Sequence, residues 1–386
     1  MEGFAKSITQ SANPTGSAML GSLMLGGSHI IDNRLSSDLG CVPWNELPAL
    51  KCGDEVGVGA QGSVTLATYD VNCLDKDSSE VRNVAVKTSK IPLSNPFLRT
   101  AALNEIAVME LFNDTNLVTR IWDSTEDLDK VYILEEGIMG GTLENFITQG
   151  HSDIDKALVF HDIAFGLQEM HAKNVVHRDL KPANLLVTDD EKKRVKIADV
   201  SFACIPERAT QIKGIMKCEG FFGTPAYLAP EIYEQQENNM RAFRTPETVQ
   251  FRSDAHSTAI DMWSLGLILY QLILGVEVND LWNNTQGKQM SQIVREVDIV
   301  AKLAEGTALA RKLKDMADAA PRAAEMVTLL LKGLLHGPSG RFTATDAAVL
   351  TRHWLTALNA EEAYTQTLTD PLSGIPPGCF KRLQKS

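Results

Sequence analysis

No CxxC pair occurs in this chain: its six cysteines, Cys41, Cys52, Cys73, Cys204, Cys218 and Cys379, are scattered. That spacing offers neither a zinc knuckle nor a dense disulfide framework, and it makes a reducing compartment, the cytoplasm by default, the expected location. Long apolar runs are missing too. The longest, Leu265 to Gly275, is too short to span a bilayer and includes Gln271, so it reads as a buried helix. The mildly apolar Ala18 to Gly27 follows Glu2 without a basic n-region, which argues against a secretory signal. Positive charge is in deficit: 37 Lys and Arg against 49 Asp and Glu leave a net charge of -12. Phosphate-rich partners are held by clustered Lys and Arg, so no nucleic acid and no anionic membrane is expected as the main partner. No repeat at solenoid periods is evident.

A chain of 386 residues exceeds what one hydrophobic core usually serves, so two packed lobes with a cleft between them are expected. Residues 1–47, rich in Ser, Gly, Asn and Met without a period, read as a flexible extension. Short β-rich runs follow at Leu50 to Val58, Ser63 to Tyr69, Asn83 to Thr88 and Val131 to Leu134, with a polar loop from Cys73 to Arg82. Between the last two strands the spacing predicts a helix from about Arg99 to Phe112. Leu103, Ile106, Met109 and Phe112 form its apolar side, with Glu105 beside them. Beyond this the pattern is mainly helical, with a helix over Phe160 to Lys173 and a small hairpin of Leu185 to Val187 and Val195 to Ala198. The order gives an α+β chain: a small antiparallel β-lobe with one helix at 48–137, then a larger, mainly helical lobe at 138–358. Long polar or mixed-charge segments interrupt the second lobe at about 232–260 and 276–320, and an extended tail occupies 359–386.

The chemistry concentrates at His177 to Asn184, which reads HRDLKPAN. A histidine, a carboxylate base candidate, a lysine and an amide within eight residues are hard to explain as packing. The run resembles the catalytic loop of eukaryotic protein kinases. By that resemblance Asp179 accepts the proton of the substrate hydroxyl, Lys181 faces the transferring phosphate and Asn184 holds magnesium. The spelling LKPAN is the serine/threonine pattern. Gly57, Gly59 and Gly62 form GxGxxG, which also occurs in dinucleotide-binding turns; here a strand follows instead of a helix, which matches the kinase hairpin that covers ATP. Val84 to Lys87 reads VAVK and resembles the motif whose lysine contacts the α- and β-phosphates and pairs with a helix glutamate, by position Glu105.

Asp199, in KIADVS, stands where these kinases place the magnesium-binding aspartate of DFG, but Val200 and Ser201 replace the phenylalanine and glycine. The smaller side chain and the less flexible backbone are expected to alter the switch between loop states. Downstream, GTPAYLAPE resembles the end of an activation segment. The resemblance implies that Thr224 bonds Asp179 and Lys181, that Glu231 pairs with Arg341, and that Asp261 ties the catalytic-loop backbone. Glu219 is the expected fixed charge near Arg178, in place of a phosphate, with Thr210 as the competing site. For the hinge, direct alignment puts Glu135 at the guard position of the pocket. Because burying a carboxylate is costly, a one-residue slip is expected instead, with Leu134 as guard and Glu135, Glu136 and Gly137 as hinge.

The resemblance covers about residues 48–358 and implies a bilobal protein kinase-like fold with ATP and Mg2+ as cofactors and Ser/Thr-bearing proteins as substrates. The nucleotide contacts it implies are Gly57, Val58, Gly59, Gly62, Val64, Ala85, Lys87, Glu135, Gly137 and Leu186. The alternative class is a pseudokinase scaffold, prompted by DVS, the hinge and the long interruptions.

Overall fold

A computed structural model describes residues 50–58, 62–70, 81–90, 96–126, 129–191, 193–206, 211–218, 220–236, 257–277 and 306–360. Five strands form the first lobe: β1 (Leu50–Val58), β2 (Gly62–Asp70), β3 (Val81–Lys90), β4 (Ile121–Glu126) and β5 (Lys130–Glu136). All neighbours are antiparallel, in the order β1-β2-β3-β5-β4. Strand alternation sorts their side chains. Leu50, Ala67, Tyr69, Val84, Val86, Tyr132 and Leu134 form a small core on one face. The other face carries Val64, Ala85, Lys87, Ile133 and Glu135, because directly paired residues share a side of the sheet.

Helix α1 (Pro96–Leu111) lies between β3 and β4, with proline at its first position, where the missing N–H costs nothing. Its buried residues are Ala101, Ala102, Asn104, Glu105, Val108 and Met109, whereas Leu103 is 43% exposed. The expected apolar side is thus rotated, because the face turned inward includes two polar residues with work to do there.

The second lobe has α2 (Leu143–Thr148), α3 (Asp153–Ala172), the hairpin β6 (Leu185–Val187) and β7 (Val195–Ile197), α4 (Ala259–Leu274), α5 (Ala308–Ala319), α6 (Pro321–Leu334) and α7 (Ala344–Ala357). Capping boxes start α3 and α7: Ser152 with Asp155, and Thr343 with Asp346, satisfy orphan N–H groups reciprocally. Helix α4 is buried along nearly its whole length and ends at Gly275, whose φ of 69° suits glycine. Helix α5 buries Leu309, Leu313 and Met316, so the end of the 276–320 stretch is an amphipathic part of the core rather than a surface insertion. The expected extension at 1–47, residues 237–256 and 278–305, and the tail beyond Ala360 lie outside the described residues. Among the described residues no helix is long and apolar enough to cross a membrane.

One departure concerns cysteine. Cys204 and Cys218 form a disulfide, which the scattered spacing did not suggest. They stand 14 positions apart in sequence, and their Cα atoms lie 5.0 Å apart.

Candidate active site

Strand β3 delivers Lys87 to the cleft side of the sheet, and α1 brings Glu105 to meet it: Nζ lies 2.6 Å from Glu105 Oε1 and 3.0 Å from Asp199 Oδ1. Burial alone would lower the Lys87 pKa, but Asp199, Glu105 and Glu135 reverse this and hold it well above the usual lysine range. Asp199 answers in kind. Burial would raise its pKa, yet Lys87 and the Ser201 hydroxyl hold it at about 2. Ser201 Oγ donates to Asp199 Oδ1 at 3.0 Å, so the serine in the glycine position orients the carboxylate. Val200 is buried in the main core.

The catalytic loop is suspended from Asp261 on α4. Its carboxylate accepts from the N–H groups of His177 (2.8 Å) and Arg178 (2.9 Å), and His171 Nε2 lies 2.9 Å away. Burial would raise the Asp261 pKa, but the bonds and charges of His171 and His177 outweigh it and the net shift is downward. Suspended this way, Arg178 takes a left-handed backbone, φ 69°, as does Asp199, φ 53°; non-glycine residues adopt this conformation only where surroundings enforce it.

Asp179 is then surrounded by donors. Its Oδ1 accepts from Thr224 N and Thr224 Oγ1, both at 2.7 Å. Lys181 Nζ lies 3.0 Å from Oδ2 and donates to Thr224 Oγ1 at 2.8 Å. Asn184 Nδ2 donates to Asp179 O (2.9 Å) and Oδ2 (3.1 Å). With its nitrogen so engaged, Asn184 turns its oxygen the other way, which suits a cation ligand. One carboxylate, Asp199, and one amide oxygen fit magnesium, which keeps few protein ligands and takes phosphate oxygens besides.

Glu135 pairs in register with Ala85, two residues from Lys87 and on the same face. Leu134 faces the opposite core. Glu135, not Leu134, therefore shares the cleft side with Lys87, the reverse of the placement that the one-residue slip assumed. Burial, opposed by Lys87, pushes the Glu135 pKa up to about 8, so the carboxyl avoids the cost of burial by staying protonated at neutral pH. Glu136 bonds the buried Lys196 of β7 at 2.6 and 2.8 Å, and Gly137 N donates to Asn83 O at 3.1 Å. A Cβ on Gly137 would strike the β3 backbone at 2.7 Å, so this chain approach needs glycine.

Gly57, Val58 and Gly62 lie at the β1–β2 end, Val64 pairs with Lys87, and Leu186 projects between the buried Leu185 and Val187. Gly59 lies outside the described residues, as do Glu219 and Thr210. Arg178 donates from Nε to Phe202 O at 2.6 Å and stacks over Phe222 at 5.0 Å. Phe97, Phe202 and Phe222 stack in turn, a cluster that no motif announced. Glu231 pairs with Arg341 at 2.6 and 3.1 Å.

A sequence model of the protein kinase domain matches residues 50–355. The chain belongs to the protein kinase domain family. This kinase domain is similar to "Serine/threonine-protein kinase ATG1b" of Arabidopsis thaliana, 32% identical over 56% of the chain and 27% of that protein. It is also similar to "Serine/threonine-protein kinase atg1" of Dictyostelium discoideum, 32% identical over 55% of the chain and 29% of that protein. A third relative, "Calcium/calmodulin-dependent protein kinase type 1" of Caenorhabditis elegans, is 26% identical over 63% and 60%. The kinase domain thus spans less than a third of the first two relatives' length.

Proposed function

We propose that this kinase domain transfers the γ-phosphate of ATP to serine and threonine hydroxyls of proteins. The observation that carries the reading is the Asp179 carboxylate, fixed by Thr224, Lys181 and Asn184. In this reading Asp179 orients the acceptor and takes its proton. Lys87, held by Glu105, grips the α- and β-phosphates, and Lys181 stabilises charge on the transferring group. Gly57, Val58, Gly59, Gly62, Val64, Ala85, Glu135, Gly137 and Leu186 border the nucleotide. Asn184 and Asp199 would hold magnesium, which supplies neutralisation of phosphate charge when bound. The three relatives named as protein kinases, two of them serine/threonine-specific, support the acceptor class.

Cytoplasmic location is part of the proposal, and a disulfide in that reducing setting would be regulatory rather than permanent. The test is incubation of the protein with Mg-ATP labelled at the γ-phosphate and a peptide library with Ser, Thr or Tyr acceptors. Label on Ser and Thr peptides, lost in Asp199→Asn, is the expected result; label on Tyr alone, or nucleotide binding with no transfer, contradicts it.

A further inference from the structure

Asn104 immediately precedes Glu105 on α1 and is 1% exposed. Its Nδ2 donates to Ser201 O (3.0 Å) and Ala203 O (2.9 Å), and its Oδ1 accepts from Met216 N–H (2.8 Å). One buried amide therefore joins the helix to the outgoing limb of the 199–224 segment, at 201 and 203, and to the returning limb, at 216. Those limbs are also joined to each other. Ile205 N donates to Met216 O (2.9 Å), Cys218 N donates to Ile205 O (3.0 Å), and the Cys204–Cys218 disulfide closes the pair. Cys204 in turn exchanges both backbone bonds with Val176, at 2.8 and 2.9 Å, directly before the catalytic loop.

Apolar packing alone lets a helix rotate or slide, whereas three directional bonds fix its register. An amide buried this deeply is tolerated only when its partners are in place, so the geometry of both limbs is written into the position of α1, and Glu105 moves with it.

We propose that Asn104 is a positioning residue for the Lys87–Glu105 pair, latching α1 to both limbs of the 199–224 segment, and that the Cys204–Cys218 disulfide across those limbs makes the latch redox-sensitive. This rests on the kinase reading of the site. Reduction needs a dithiol donor such as dithiothreitol. Its thiolate attacks one sulfur to form a mixed disulfide. Its second thiol then closes a ring and expels the cysteine. Two electrons and two protons pass to Cys204 and Cys218, leaving two thiols and the cyclic disulfide of the reagent. Both cysteines are buried, at 0% and 2% exposure, so the reagent acts through opening of the segment and long incubation is required.

The test compares the full chain, Asn104→Leu and the double variant Cys204→Ala/Cys218→Ala, each with and without dithiothreitol, with free thiols counted. Two readouts are taken: phosphate transfer, and hydrogen exchange across residues 96–111. Reduction should lower kcat and raise KM for ATP in the unsubstituted chain and speed exchange in α1. The double variant should match that reduced state and ignore the reagent. Asn104→Leu keeps the bulk but not the bonds. It should lose about tenfold to a hundredfold in kcat/KM, as misplaced catalytic groups do, and show no further response to reduction.

Rates for Asn104→Leu equal to the parent's, an undiminished proportional response to dithiothreitol in that variant, or no effect of reduction on rate and exchange would each overturn the proposal. If Asn104→Leu fails to fold, Asn104→Asp keeps size and acceptor while losing both donors, and the same outcomes apply. If the unsubstituted chain transfers no phosphate, the kinase reading fails separately, and exchange alone decides the latch: faster exchange on reduction supports it, unchanged exchange refutes it.

Discussion

Glu135 carries a carboxyl beside Lys87 on the cleft face of the sheet, and its charge state follows from burial. A raised pKa means the folded protein keeps a proton that the unfolded chain releases at about 4.3. Between that value and about 8 the native state binds more protons, so stability from this group is full below the lower value and falls as pH rises to the upper one. Glu135→Gln, neutral at every pH, should therefore gain on the parent from pH 5 to 8.5 in urea unfolding; a constant difference would refute the assignment. Asp199 runs the other way. Its pKa, depressed to about 2, gives stability that is present above about 3.9 and lost as pH falls towards 2. Asp199→Asn should blunt that acid loss, seen as a shallower fall in unfolding midpoint below pH 4. Glu135 was legible in the sequence by direct alignment. The cost that displaced it assumed an ionised carboxylate, and protonation removes most of that cost. Ser201 was equally visible but read as a stiffened glycine, because a hydroxyl bond to Asp199 depends on a backbone turn that spacing does not encode.

Among the elements, β1 and the β6–β7 hairpin were legible from alternation and turn residues, whereas α3 begins at Asp153, ahead of the Phe160 start read from apolar spacing, because its capping box of Ser152 and Asp155 went unread. Strand β4 was missed: IWDSTE lacks a long alternating run, and only its pairing with β5 makes it a strand. Helix α1 was placed correctly but faced wrongly, since its inward side includes Asn104 and Glu105, which periodicity scores as outward. The Phe97–Phe202–Phe222 grouping unites residues far apart in sequence, and the Cys204–Cys218 bond depends on how two limbs of one segment pair, so no local pattern reports either contact. Glu231 and Arg341 join the end of the 199–231 segment to the loop before α7, where Arg341 also donates to Ala259 O and His336 O and stacks on Trp263. Removing one partner of a buried pair strands the other. Glu231→Ala should thus cost about 3–5 kcal/mol in denaturant unfolding. A loss below about 1 kcal/mol, typical of exposed pairs, would show the bridge to be solvated.

For the whole molecule, the two lobes divide the labour. The sheet and α1 carry Lys87 and Glu105, the helical lobe carries Asp179, Lys181 and Asn184, and Asp199 contacts Lys87 across the cleft. The disulfide adds a covalent tie within the segment that links these parts. Closing a loop of this size restricts the unfolded chain by about 3 kcal/mol, so reduction should lower the thermal midpoint; an unchanged midpoint after complete reduction would contradict that. In the proposed mechanism Asp179 acts on the acceptor hydroxyl while other groups hold the nucleotide. This division is tested most directly by kcat for a peptide with a free Ser or Thr acceptor together with Kd for Mg-ATP, in the parent chain and in Asp179→Asn. A fall in kcat of about 10²–10⁴-fold with Kd nearly unchanged is expected; an unchanged kcat, or a loss wholly explained by weaker ATP binding, would contradict this role for Asp179.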